Sequence, residues 1–163
     1  MKDYAEFYQK LTKPFQSDQR KKILNLVSQC LTAVFYIAYP VLLLQVGMTR
    51  TQLLWKFVLI PAVSFVLVSW YRAKVNRPRP YEQEDITPLI AKETSGHSFP
   101  SRHAFCAVII AMTYLDLYPV AGVILLLLAV CNSTLRVIGG VHYPRDVFAG
   151  FAAGIAFGLL YFL

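Results

Sequence analysis

The chain has 163 residues, 56% of them hydrophobic, and a net charge of +7; its mean hydropathy is +0.49. That is too apolar for an ordinary soluble domain, which is no more than about half apolar, and the alternating pattern of a membrane β-barrel is absent. Cys30, Cys106 and Cys131 have neither CxxC spacing nor neighbouring ligands, which excludes a disulfide framework or a zinc site and reads as three buried, inert thiols.

Residues 1–22 lack the basic start, apolar core and small-residue cleavage site of a signal peptide. Tyr4, Phe7, Tyr8 and Leu11 recur at helical spacing beside Lys10. The segment is therefore either an interfacial helix on anionic lipid or a solvated tail. Five apolar runs follow, at 23–46, 53–70, 99–117, 119–135 and 144–163. Runs of about 20 apolar residues mark membrane spans. Backbone groups in hydrocarbon must be satisfied internally, so the runs predict helices. Pro40 and Pro61 fall inside the first two and predict kinks rather than breaks. The expected fold is an all-α integral membrane bundle of about five transmembrane helices. Residues 1–22 form an amphipathic or interfacial segment, and residues 23–163 a single domain.

Of the sixteen Lys and Arg, all but Arg50 and Lys56 lie in the N-terminal segment or at the ends of spans two to five that share one side. A basic face on a membrane bundle favours acidic lipid headgroups over nucleic acid. Residues 72–98 make the one long loop, which starts basic and turns acidic at Glu82, Glu84 and Asp85. Long loops in compact domains are often functional. In the last span Gly150, Gly154 and Gly158 form a four-residue stripe that Asp146 extends by one turn. Such a stripe permits close helix packing, so it predicts that the glycine face and Asp146 both point into the bundle.

Three motifs sit on the basic side. The first, at 72–80, carries Arg72, Lys74, Arg77, Arg79 and Pro80. It is either a set of planar forks for phosphate oxygens or the positive stop that follows many spans. The second runs from Ser98 to His103 and opens span three. Pro100 suits a helix start, and the free N–H groups there attract anions. Ser101 adds a hydroxyl, Arg102 a charge, and His103 lies one turn in, although a lone interfacial histidine is often structural. The third, from Arg136 to Asp146, joins spans four and five. His142 and Asp146 are four apart, so a carboxylate can fix the imidazole tautomer and leave the other nitrogen free to attack. Arg136 is placed for the same phosphate, with Asn132 one turn earlier to brace it. Alternating span direction brings all three motifs to one side.

These residues resemble the type 2 phosphatidic acid phosphatase (PAP2) superfamily. Its signature is Lys-x6-Arg-Pro, then Pro-Ser-Gly-His, then Ser-Arg-x5-His-x3-Asp. Arg79 and Pro80 match the first motif, with Arg72 at the lysine position. Pro100, Ser101 and His103 match the second, with Arg102 in place of glycine. Arg136, His142 and Asp146 match the third, with Leu135 in place of serine and Asn132 or Ser133 as substitutes for its hydroxyl. The resemblance covers roughly residues 65–160. It implies that His142 is the nucleophile of a phosphohistidine mechanism, with Asp146 as its orienting carboxylate. It makes His103 the acid that protonates the leaving group and then the base that activates water. Arg72, Arg79, Arg136, Ser101 and Arg102 hold the phosphoryl oxygens. No cofactor or metal is implied. The expected function is hydrolysis of a lipid phosphomonoester or diphosphate; polyprenyl diphosphate, phosphatidylglycerol phosphate and phosphatidic acid are candidate substrates.

Two rival classes use the same residues differently. A non-catalytic lipid-phosphate binding or transport protein would keep the arginines without needing His142 paired to Asp146. A membrane haem or metal protein would use His97, His103 and His142, leaving the motif arginines without a role. Nucleic-acid binding has no motif support. Sidedness is contested: the basic bias places the active-site ends in the cytoplasm, whereas the resemblance places them on the extracytoplasmic face of a bacterial cell membrane. Oligomeric state is not legible.

Overall fold

The computed structural model describes residues 2–90 and 95–163; residue 1 and positions 91–94 of the long loop lie outside the described residues. All regular elements among them are helical: α1 (Lys2–Thr12), α2 (Asp18–Thr49), α3 (Leu54–Val75), α4 (Pro80–Gln83), α5 (Arg102–Leu117), α6 (Pro119–Ile138) and α7 (Pro144–Gly158). Single 3-10 turns occupy Lys13–Phe15, Thr51–Leu53 and Leu159–Phe162. The fold is the all-α membrane bundle expected from the apolar runs.

Four helical stretches are long and apolar enough to cross a membrane: Asp18–Thr49, Thr51–Gln83, Pro119–Ile138 and Pro144–Phe162. The exception among the five predicted spans is α5. It has 16 residues, about 24 Å of helix against a hydrocarbon core of about 30 Å. Its first residue is Arg102: residues 99 and 100 form a bend, with a cis Phe99–Pro100 bond, and Ser101 is extended. Ser101 then caps the helix by accepting from the Ala104 N–H at 3.4 Å. α5 is nonetheless the centre of the fold: α6 and α7 pack along its length, and α2 and α3 close the remaining sides. Phe105, Val108 and Ala111 on it are fully buried. A helix surrounded by other helices does not need to match the bilayer by itself.

α2 begins at Asp18, capped by Ser17, and its 32 residues exceed what a bilayer requires. Its first turns, carrying Arg20, Lys21 and Lys22, extend past the apolar stretch. Pro40 and Pro61 are accommodated inside α2 and α3. α3 ends at Asn76, whose left-handed backbone (φ 40°) returns its N–H to the Arg72 carbonyl. Apolar side chains such as Leu44, Val66, Leu127 and Phe148 are exposed on the outer faces, which suits hydrocarbon contact and would be costly in water. Cys30 and Cys131 are also exposed, and Cys106 is half-buried. This corrects the expectation of three buried thiols: an apolar run in a membrane helix has an outward face as well as an inward one.

The glycine stripe of α7 does face inward. A Cβ on Gly150 would lie 2.5 Å from the Ser101 carbonyl oxygen, one on Gly154 2.7 Å from Val108 Cβ, and one on Gly158 2.5 Å from Met112 Cγ. Only hydrogen at these positions lets α7 lie directly on α5. At the other end of the bundle, Lys56 donates to the Tyr161 carbonyl, tying α3 to the C-terminal turn.

α1 lies over the basic end. The Tyr8 hydroxyl donates to the Ile138 carbonyl at 3.2 Å, and the Tyr4 and Tyr143 rings are 4.7 Å apart. Tyr8 is buried while Phe7 stays half-exposed, so the aromatic repeat has one face on the protein and one free.

Candidate active site

The turn between α6 and α7 carries His142, and glycines make it possible. Gly140 has φ +75°, and a Cβ there would stand 2.6 Å from the Tyr8 hydroxyl and 3.1 Å from Pro88 Cα. The turn is held from outside by the long loop, where Ile90 N–H donates to the Gly139 carbonyl at 3.2 Å. His142 emerges buried, at 1% exposure. Asp146, in the first turn of α7, is completely buried.

His142 and Asp146 share one side, as their spacing predicts, but they do not bond directly. His142 Nδ1 stands 3.7 Å from Asp146 Oδ2, beyond hydrogen-bond range. Ser98 fills the gap. Its hydroxyl donates to Asp146 Oδ2 at 2.5 Å and lies 3.3 Å from His142 Nδ1. The Tyr143 N–H also donates to Asp146 Oδ2, at 3.1 Å. With Nδ1–H directed at Ser98, the unprotonated nitrogen is Nε2. Nε2 is buried and finds no hydrogen-bond partner among the described residues. Burial holds the His142 imidazole down at about 4, against the opposing pull of Asp146; it is neutral, with a free lone pair, at ordinary pH.

Arg72 is in the last turn of α3. Its Nη1 donates to the Pro100 carbonyl at 2.8 Å. Arg79 precedes α4, with its own N–H bonded to Glu82 Oε2 at 2.6 Å and its Nη1 to the Val141 carbonyl at 2.9 Å. Arg136, in the last turn of α6, donates from Nη2 to Thr32 Oγ1 at 3.1 Å. All three are buried, and Nε of Arg79 and of Arg136 has no partner among the described residues. Against these three guanidinium groups the described residues set one buried carboxylate, Asp146. Buried charges need compensation, so the site as built has room for an anion.

Ser101 is fully buried and ties the second motif to the third: its N–H donates to the Asp146 carbonyl at 2.9 Å. His103 is half-buried and lines a cleft of about 330 Å³ with Thr32, Phe35, Phe65, Cys106 and Asn132. Arg102 also lines this cleft but is exposed and sits 6.0 Å above the Phe65 ring. It differs from Arg72, Arg79 and Arg136 in being exposed, and it is near enough to Arg72 and Arg79 to repel both. Arg77 and Lys74 turn outward onto Phe99 and Trp70. His97 is separate too: its N–H bonds Asn76 Oδ1 and its Nδ1 faces the Arg72 carbonyl. Asn132 and Arg136 are joined through Thr32, whose hydroxyl lies 3.5 Å from Asn132 Oδ1 and 3.1 Å from Arg136 Nη2. Ser133 lines a different groove, between α6 and α7, and its buried hydroxyl has no hydrogen-bond partner among the described residues.

Two residues were missed by sequence reasoning. Ser98 belongs to a motif that was recognised, but nothing local marks it as the link between His142 and Asp146. Thr32 is a polar residue in an apolar helix, one turn after Ser28, and that is a weak signal. Among the described residues no group of three or more His, Cys, Asp or Glu side chains converges to hold a metal ion.

The sequence model of the PAP2 superfamily matches residues 53–163. The chain is 33% identical over 101 residues to the lipid A 1-phosphatase of Rhizobium johnstonii, a stretch that is 60% of this chain and 41% of that protein. The lipid A 1-phosphatase of Rhizobium etli gives the same identity over 44% of its length. The aligned stretch is thus under half the length of these curated relatives. The fold is similar to the crystal structure of Aquifex aeolicus LpxE, with a TM-score of 0.75 and 25% identity over 96% of this chain and 93% of that one. It is also similar in fold to a transmembrane PAP2 type phosphatidylglycerolphosphate phosphatase from Bacillus subtilis, with a TM-score of 0.59, 21% identity, and coverage of 95% and 90%. With its three motifs gathered at one end of a helical membrane bundle and more than half its length matched, the chain belongs to the PAP2 superfamily.

Proposed function

We propose that the protein is an integral-membrane lipid phosphatase that hydrolyses a phosphomonoester or diphosphate through a phosphohistidine intermediate. One observation carries this reading: His142 Nε2 is buried, neutral and unpartnered among the described residues, in a site with more guanidinium than carboxylate. A phosphate dianion would balance Arg72, Arg79 and Arg136 against Asp146. The names of the relatives point the same way, as does the largely apolar cleft beside His103.

In the first step His142 Nε2 attacks phosphorus, and the bond from phosphorus to the leaving oxygen breaks. His103 gives that oxygen its proton, so the lipid leaves as an alcohol or a monophosphate. The Nδ1 proton stays on His142, where Ser98 and Asp146 stabilise the charge that develops on the ring. In the second step His103 takes a proton from water, and the hydroxide displaces His142 to release inorganic phosphate. Arg72, Arg79 and Arg136, with Ser101, hold the equatorial oxygens, where fixed cationic donors act most strongly. Arg102 meets the substrate from the cleft side. The lipid tail lies in the cleft among Phe35, Phe65, Ala107 and Ile110. Polyprenyl diphosphate, phosphatidylglycerol phosphate, phosphatidic acid and the phosphate ester of a glycolipid all present the required group, and we place the site on the extracytoplasmic face.

The test is inorganic phosphate release by the detergent-purified chain, with chelator present, over a panel of these lipids, beside His142→Ala. Turnover that is lost in the variant supports the reading, and the rank order names the substrate. Absence of turnover on every lipid would favour a binding or transport role instead.

A further inference from the structure

The Arg136 guanidinium is anchored from another helix. Its Nη2 donates to Thr32 Oγ1 at 3.1 Å, across the bundle on α2. Thr32 in turn donates to the Ser28 carbonyl at 2.8 Å. A hydroxyl has a single proton, so with that proton on Ser28 its lone pairs are left to accept from Arg136. The contact fixes one edge of the guanidinium plane and leaves Nε, buried and unpartnered among the described residues, for something else. Thr32 also lines the cleft that holds His103. It lies outside residues 53–163, where the family match falls.

We propose that Thr32 is a positioning residue for phosphoryl transfer, holding Arg136 in the rotamer that offers its remaining donors to the phosphoryl oxygens; this rests on the phosphatase reading above. Without the hydroxyl, Nη2 is left unpaired at a buried site and the long side chain is free to turn. A cation displaced from the place where charge develops lowers the transition-state stabilisation more than it lowers ground-state affinity.

Thr32→Val keeps the branched shape and removes the acceptor, and Thr32→Ser keeps the acceptor. The full chain in detergent is assayed for phosphate release on its best lipid substrate. For Thr32→Val the expected result is a kcat about tenfold lower with KM changed less than about threefold. Thr32→Ser should stay within about twofold of wild type, and in an Arg136→Lys background Thr32→Val should add less than about twofold. Wild-type kcat in Thr32→Val would overturn the role, as would a Thr32→Ser variant no better than Thr32→Val. The full tenfold loss persisting in the Arg136→Lys background would also overturn it. A wild-type chain inert on every lipid phosphate would overturn the phosphatase reading and this role with it, whereas an active wild type with an unaffected Thr32→Val overturns the role alone.

Discussion

His142 and Asp146 are four residues apart in the chain, yet their facing side-chain atoms stand 3.7 Å apart, and the hydroxyl of Ser98 closes the interval with contacts of 3.3 and 2.5 Å. The carboxylate is linked to the imidazole through a hydroxyl that belongs to a different motif. The first prediction follows from this. Ser98→Ala removes the link and leaves a buried carboxylate short of a donor, so kcat should fall by about tenfold to a hundredfold. Asp146→Asn should cost more, on the order of a thousandfold, because it removes the charge that supports the imidazolium. Phosphate-release kinetics on both variants check the order; a Ser98→Ala enzyme as fast as wild type would show that the link is idle.

Stability should depend on pH through His142. Its folded value is held at about 4 by burial, below an unfolded value of about 6.5. Between those two values the unfolded chain binds a proton that the folded chain does not. Stability from this group is therefore complete above about pH 6.5 and declines as the pH falls toward 4. The thermal midpoint of wild type should drop between pH 7 and pH 5 by more than that of His142→Gln. Equal drops in the two proteins would show that His142 is not the titrating group.

The α5–α7 contact should be intolerant of bulk. Gly154→Val places a Cβ 2.7 Å from Val108 Cβ, and neither backbone can retreat without opening the core. Overpacking of this kind costs about 1–3 kcal/mol or more. Phe148→Leu, on the exposed face of the same helix, should leave the midpoint nearly unchanged. Thermal unfolding of the two variants in one detergent makes the comparison, and a Gly154→Val protein as stable as Phe148→Leu would contradict the packing described.

Sidedness can be read from the long loop. Asp85 is exposed, and Cys30, Cys106 and Cys131 can be replaced by alanine to give a silent background. Asp85→Cys in intact cells should react with a membrane-impermeant maleimide, as an extracytoplasmic site requires. Labelling seen only after permeabilisation would place the site in the cytoplasm.

The gross fold and the identity of the buried charges were legible in the sequence because both follow from strong local constraints. Apolar runs mark spans, and a charge near membrane depth has to be used. Period also predicted the inward face of α7, since glycines four apart and Asp146 share a stripe. Three features were not legible. The start of α5 depends on a bend at residues 99 and 100 and the Ser101 cap, which hydropathy does not register. The outward faces of Cys30 and Cys131 depend on which side of each helix meets its neighbours. The roles of Ser98 and Thr32 depend on contacts across 44 and 104 residues of chain, and a single sequence carries no signal at that range. Arg102 was grouped with the other arginines by proximity in a motif. Its position at the helix start leaves it exposed over Phe65, beside His103 in the cleft.

The close seating of Gly150 against the Ser101 carbonyl has a consequence for how the site keeps its shape. Ser101 opens the helix that carries His103, and Gly150 follows Asp146 by one turn. The glycines therefore act as teeth that set the register between the helix of His103 and the helix of Asp146. A slip of one turn would displace the carboxylate by about 5.4 Å. The spacing between His103 and Asp146 is thus set by small residues that run down the bundle from the site to Gly158.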